Sequence, residues 1–140
     1  MPDSEEELSI NDGEVKRYAL GRIAIEAEIV PKEQLPDKIP EKIYTKWLDD
    51  GKIKDNCVFR KTLPGDFLVI DSAGHRKKVA DYLKDEKVPK RKRGEVICLA
   101  SGSLVHWVVG HRIGESCRIE ADTKKAVKFD VTALNDREEL

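Results

Sequence analysis

Residues 22–30 read RIAIEAEIV. Ile23, Ile25, Ala27 and Ile29 fall on one side of an extended chain, and Arg22, Ala24, Glu26 and Glu28 on the other. Strict period-two alternation belongs to a strand with one face buried and one in solvent. Such a strand needs neighbours beside it and a second layer over its apolar face. The rest of the chain supplies candidates for both. EVKRYAL precedes it as a weaker strand, with Gly21 permitting a bend between the two. Downstream, KIYTKWL, NCVFRK, FLVID, EVICLA, LVHWVV and AVKFDV each have strand character, and the last sets Val127, Phe129 and Val131 on one face. Pro64-Gly65 suits a tight turn, because proline fixes one dihedral and glycine accepts positive φ. Ser101-Gly102 lies between two apolar runs and suggests a hairpin. No repeat is present, and strands do not alternate regularly with helices. The expected class is therefore α+β: a small, mostly antiparallel, sandwich-like β domain with one clear amphipathic basic helix and a short turn after it.

The totals agree with a globular chain. Of 140 residues, 38% are charged and 39% hydrophobic, enough for one domain with a real core or two small units. No run of about twenty apolar residues exists, so no transmembrane helix is expected. MPDSEEELS, at the start, is acidic and lacks the apolar centre of a signal peptide. Cys57, Cys98 and Cys117 are odd in number and far apart, which speaks against a disulfide framework or a zinc site and for reduced thiols in the cytoplasm. PKEQLPDKIPEK carries three prolines and reads as a connector. The expected organisation is an acidic disordered leader at 1–13, N-terminal strands and connector at 14–40, a main domain at 41–132 and a tail at 133–140.

Charge is unevenly placed. Residues 1–14 carry six acids and no bases, whereas GHRKKVADYLKDEKVPKRKR, residues 74–93, holds nine Lys or Arg against three acids. At 100° per residue a helix from Arg76 to Lys87 gathers Val79, Tyr82 and Leu83 on one side. Arg76, Lys77, Lys84 and Lys87 then form a stripe beside that apolar face, and Pro89 ends the helix before KRKR. Such a stripe suits phosphate, since Lys and Arg neutralise backbone charge and release counterions. A solvated helix face would carry the same charges.

Catalytic motifs are missing. There is neither G-x-G-x-x-G nor G-x-x-x-x-G-K-[ST]. His75, His106 and His111 lack metal-ligand spacing. His106 reads as a surface or core-edge residue, His75 as a loop residue that could touch RNA, Asp66 as a turn-fixing carboxylate, and Trp47 and Trp107 as core.

Several motifs occur in a fixed order. YTKWLD precedes R-x-x-x-P-G-D, which begins at Arg60. The basic segment follows with Gly74, Lys77, Lys78, Asp81, Lys87, Pro89 and Arg93 at recurring positions. VICLASGSLVHWVVGHRIGE contributes Trp107, Gly110, Arg112 and Ile113, and TKKAVKF closes the series. In this order the stretch from about Tyr44 to Val131 resembles the C-terminal domain of the tRNA(Ile)-lysidine synthases, especially those of Clostridium-like bacteria. Val79, Ser101 and Gly94 depart from that family's usual Leu, Asp and polar residue.

The resemblance implies a domain that binds isoleucine tRNA with a CAU anticodon at its acceptor-stem end. The parent enzyme uses ATP and lysine to modify the wobble cytidine. Its catalytic Ser-Gly-Gly-x-Asp-Ser motif is absent here, so no cofactor is expected in this chain, ATP being expected only in an N-terminal catalytic domain. That domain is itself an expected partner, and no membrane is. RNA contact is expected from Arg76, Lys77, Lys78, Lys84, Lys87, Lys90, Arg91, Lys92, Arg93 and Arg112. The alternative is a non-catalytic docking domain whose basic patch meets an acidic protein surface, with the acidic leader able to cover the patch in cis.

Overall fold

The computed structural model of the chain describes residues 5–40, 42–53 and 56–133. Among these, ten strands and two α-helices run in the order β1 (Glu6–Glu7), β2 (Val15–Leu20), β3 (Ile23–Pro31), β4 (Thr45–Asp49), β5 (Cys57–Lys61), β6 (Phe67–Val69), β7 (Arg76–Lys78), α1 (Val79–Asp85), α2 (Lys90–Arg93), β8 (Ile97–Ser101), β9 (Leu104–Val108) and β10 (Lys125–Ala133). The strands form a four-stranded antiparallel sheet, β2-β3-β10-β4, and a six-stranded sheet, β1-β5-β8-β9-β6-β7, in which only β6 and β9 run parallel.

The alternation of β3 sets the packing. Ile23, Ile25, Ala27 and Ile29 join the main core, while Glu26 and Glu28 stay exposed. From β10, Val127, Phe129 and Val131 turn the same way. The six-stranded sheet closes this core with Cys57, Phe59, Ile97, Leu99 and Trp107. Phe59 sits at its centre, with ring centroids 5.2 Å from Tyr18, 6.3 Å from Trp107 and 5.8 Å from Phe129. The tilted and edge-on arrangements are those aromatic quadrupoles favour. A second core lies on the far face of the six-stranded sheet, where Leu68, Cys98, Ala100, Val105 and Val108 meet Val79 and Leu83 of α1. The layers are therefore sheet, sheet, helix.

Five expectations need correction, the fifth being Trp47. First, the leader is not wholly disordered. Glu6 and Glu7 pair with Phe59 and Val58, and Leu8 and Ile10 pack on the core; residues 1–4 lie outside the described residues. Second, residues 14–40 are not a separate unit, because β3 pairs with β10 from Ile23↔Ala133 to Pro31↔Lys125. The proline-rich connector is a connector between strands of one sheet. Third, the helix starts at Val79, not Arg76. Arg76, Lys77 and Lys78 pair with Val69, Leu68 and Phe67, so the ladder claims the backbone groups a helical turn would need. Fourth, His106 is buried, at 3% exposure, with Ser101 Oγ 3.1 Å from Nε2. Burial pushes its pKa down to about 4, so the ring is neutral. Trp107 is core as expected, but Trp47 is only half-buried, with Lys128 Nζ 5.2 Å from its ring centroid. The tail beyond residue 133 lies outside the described residues.

Candidate nucleic-acid interface

The basic segment starts at the β7 edge of the six-stranded sheet, crosses the sheet's outer face with α1 and reaches Thr62, after β5, with α2; it is built in three pieces. The first is the β6–β7 hairpin. Asp71 Oδ1 accepts from the backbone N–H of Ala73 and His75, and Gly74 N donates to Asp71 O at 3.1 Å. Gly74 takes φ +89°, so its place is this turn and not the start of a helix. His75 Nδ1 lies 2.7 Å from Asp71 Oδ2, and the hydrogen bonds from His75 hold the Asp71 carboxyl below its ordinary pKa. In β7, Arg76 and Lys78 are exposed and Lys77 between them is half-buried. The Arg76 guanidinium stacks over Phe67, 4.4 Å from its centroid.

The second piece is α1. Val79 and Leu83 are buried, and removing two such side chains from water stabilises the fold by about 2 kcal/mol each. Val79 N donates to Asp66 O at 2.9 Å, tying the helix start to the turn after β5. Asp81 in the first turn complements the helix dipole. Lys77 is paired with Asp85, whose carboxyl is lowered by that hydrogen bond, so this lysine is already neutralised. The helix ends in a Schellman motif: Val88 N donates to Leu83 O and Lys87 N to Lys84 O, both at 3.0 Å. Lys87 holds the left-handed position, φ +65°, that glycine usually occupies.

The third piece is α2, one turn made of Lys90, Arg91, Lys92 and Arg93. Arg93 is half-buried and acts as a brace: its Nε donates to Val88 O at 2.9 Å, and its own carbonyl accepts from Thr62 Oγ1 at 2.9 Å. Lys78, Lys84, Lys87, Lys90, Arg91 and Lys92 are exposed and make no ion pair among the described residues. The structure thus brings nine of the ten expected residues onto three consecutive elements, six of them as exposed cations outside any ion pair among the described residues.

Arg112 stands apart, in the segment after β9, with its Nε donating to Ile113 O at 2.9 Å. His111 beside it packs edge-on against Tyr82 of α1, with centroids 5.9 Å apart. Burial raises the Tyr82 phenol, Glu86 adds to this, and the Arg112 charge opposes it, so Arg112 lies within electrostatic reach of α1. Arg112 also lines a cleft of about 280 Å³ with Trp47, Ile113, Ile119, Lys46, Arg118 and Glu115. Sequence reasoning missed this cleft. β4 and the segment at 112–119 are far apart in the chain, and no local pattern announces their meeting.

The other recurring motifs are braces. Arg60 and Asp66, 6% and 3% exposed, form a bidentate pair at 2.9 and 3.0 Å, and Arg60 also donates to Gly102 O at 2.8 Å. Asp66 accepts from Leu63 N at 2.8 Å, which makes it the turn-fixing carboxylate expected. Asp49 accepts from Gly51 N at 2.8 Å and from Thr123 Oγ1 at 2.7 Å, joining YTKWLD to TKKAVKF. Ser101-Gly102 is a hairpin loop with Gly102 at φ +60°.

This arrangement has relatives. A tRNA(Ile)-lysidine synthase of Clostridium tetani is 31% identical over 142 aligned positions, covering 95% of this chain and 30% of that protein. One from Symbiobacterium thermophilum is 34% identical over 119, covering 85% of this chain and 24% of that protein. The chain is related to the tRNA(Ile)-lysidine synthases through their C-terminal domain. It spans less than a third of the length of these curated synthases. No family model matches it. The crystal structure of a TILS C-terminal domain superposes with a TM-score of 0.66 over 81% of this chain and 86% of that one. At 19% identity that likeness carries the fold alone. The Clostridium tetani match, covering 95% of this chain, reaches beyond the motif series into the strands before Tyr44.

Proposed function

We propose that this domain binds tRNA for a tRNA(Ile)-lysidine synthase, through β7, α1 and α2. The observation that carries the reading is the set of six exposed cations, without ion-pair partners among the described residues, on the consecutive elements β7, α1 and α2 in a chain of net charge −1. Their spacing on a strand, a helix and a one-turn helix suits the phosphates of an A-form duplex, whose base edges are hidden in a deep major groove. The contact reads backbone and shape more than sequence. In the synthase the tRNA is the isoleucine tRNA with a CAU anticodon, held here on its acceptor-stem side. The catalytic N-terminal part supplies the site for ATP and lysine and modifies the wobble cytidine. Two weak sites on one tRNA give tight binding only when both fit, so selection arises from linkage. The residues here take no chemical step; they bind and orient.

The rival docking reading loses one of its supports. Glu6 and Glu7 are held in β1, paired with Phe59 and Val58 at the edge of the six-stranded sheet opposite β7, rather than lying loose over the β7 cations.

The test is binding of the chain to the CAU isoleucine tRNA and to an unrelated elongator tRNA across a salt titration. Both bind, with affinity falling steeply with salt, and the double variant Lys84→Glu/Lys87→Glu weakens binding at least tenfold with an unchanged melting temperature. No binding of either tRNA at low salt overturns the reading.

A further inference from the structure

We infer that Asp85 is an internal competitor for RNA phosphate: its carboxylate occupies Lys77 in the free protein and gives way to a backbone phosphate in the complex. The inference deepens the RNA reading above and rests on it. Of the nine basic residues from Arg76 to Arg93, Lys77 alone stands in an ion pair among the described residues, and its partner is Asp85.

The two partners are held very differently. Lys77 pairs with Leu68 in the β6–β7 ladder, and Leu68 is fully buried beneath α1. Residues directly opposite each other in a strand pair send their side chains to the same face. The Lys77 stem therefore leaves the sheet on the α1 side, and the side chain is only 34% exposed. Asp85 is the last residue of α1, and its side chain is 60% exposed. A carboxylate at a helix C-terminus opposes the helix dipole, whose negative end lies there. Neither burial nor the dipole keeps Asp85 in place; Lys77 does. An exposed pair of this kind contributes little to stability and is screened by salt, so it opens readily. When it opens, the lysine stays and the carboxylate leaves.

Asp85 also stands among further cations. Its carboxyl is held below the ordinary carboxylate range first by the Lys77 hydrogen bond and charge, then by the charges of Lys84 and Lys87. Both of those lysines are exposed and outside any ion pair among the described residues. One carboxylate facing three ammonium groups is an anion site already filled from within the chain. A phosphate brings the same charge with more acceptor oxygens, so it can replace the carboxylate, but it must compete to do so. Competition keeps the site weak, which is the condition under which two linked sites on one tRNA select. Asp81 and Glu86, the other nearby acids, are exposed and make no ion pair among the described residues, so they act only through the general field.

The experiment titrates the 140-residue chain with a blunt RNA hairpin across salt, comparing wild type with Asp85→Asn, Asp81→Asn, Lys77→Gln and the double variant Lys77→Gln/Asp85→Asn. Freeing one cation for one more phosphate steepens the fall of log affinity with log salt by about 0.9, which is about eightfold tighter binding at about 0.1 M salt. Asp85→Asn should show that gain, alike for hairpins of different sequence, with a melting temperature within about 3 °C of wild type. Asp81→Asn removes the same charge from the same helix and should show about twofold or less. In the Lys77→Gln background the effect of Asp85→Asn should shrink to that of Asp81→Asn. A gain from Asp85→Asn no larger than from Asp81→Asn overturns the inference and leaves the phosphate site standing. An equal gain with and without Lys77 overturns it as well. Binding of the hairpin by neither wild type nor Asp85→Asn at low salt overturns the RNA reading and this inference together.

Discussion

Replacing Lys87 by glycine moves two measurable quantities in opposite directions. Lys87 sits at φ +65° in the Schellman end of α1. An L-residue with a side chain holds the left-handed region at a penalty of about 1–2 kcal/mol. Glycine removes that penalty but loses more chain entropy on folding, by about 0.5–1 kcal/mol. The Val88-to-Leu83 and Lys87-to-Lys84 backbone bonds involve no side chain and survive. Lys87→Gly should therefore stabilise the fold by about 0.5–1 kcal/mol, raising the melting temperature by about 1–4 °C for a domain of this size. The same change removes one surface cation from the proposed phosphate site. The slope of log affinity against log salt should become shallower by about 1, with binding weaker at all RNA sequences alike. The assays are thermal unfolding and RNA titration at three salt concentrations. A melting temperature that falls refutes the backbone argument. One that rises while affinity and salt slope stay unchanged refutes Lys87 as a phosphate contact. A strained lysine kept where glycine is more stable would then have no functional account.

Three further outcomes follow from the interior. Asp66→Ala strands the buried Arg60 guanidinium, whose pKa is raised chiefly by its hydrogen bonds to Asp66, and should destabilise the fold by about 3–5 kcal/mol in urea titration. His106, held near 4 by burial, binds its proton less readily folded than unfolded, so stability is fully present above pH 6.5 and is lost as pH falls toward 4. The loss is about 2 kcal/mol between pH 6.5 and pH 5, and His106→Asn should abolish this share of the dependence. Burial pushes Cys57 to about 11 and Cys98 and Cys117 to about 12, so a thiol reagent at pH 8 should label none of them until the protein unfolds. Their protonated forms favour the folded state, and that contribution disappears as pH climbs from 9 through 12.

What the sequence revealed was set by how local the controlling physics is. The alternation of Ile23, Ile25, Ala27 and Ile29 is a property of one strand and one buried face, and it appears unchanged in the structure. Gly102 in a two-residue hairpin is equally local. The start of α1 is not. Arg76–Lys78 satisfies a helical wheel as well as a strand, and only the partner β6, reached through the Gly74 turn, decides between them. Pairing then removes Lys77 from the free cations, because Asp85, eight residues on, comes to lie beside it. The clustering of the basic residues was legible from composition along the chain, whereas the cleft at Trp47 depends on tertiary contact between β4 and the segment at 112–119.

The order of the six-stranded sheet separates charge along its edges. Glu6 and Glu7 lie at one edge and Arg76 and Lys78 of β7 at the other, so a net charge of −1 and an isoelectric point near 6.3 conceal an acidic and a basic edge. A polyanion approaching from any side exerts a torque that turns the basic edge toward it, and the acidic edge repels the reversed encounter. At pH 7 and low salt such a chain is retained by anion- and cation-exchange resins alike, each gripping the opposite edge.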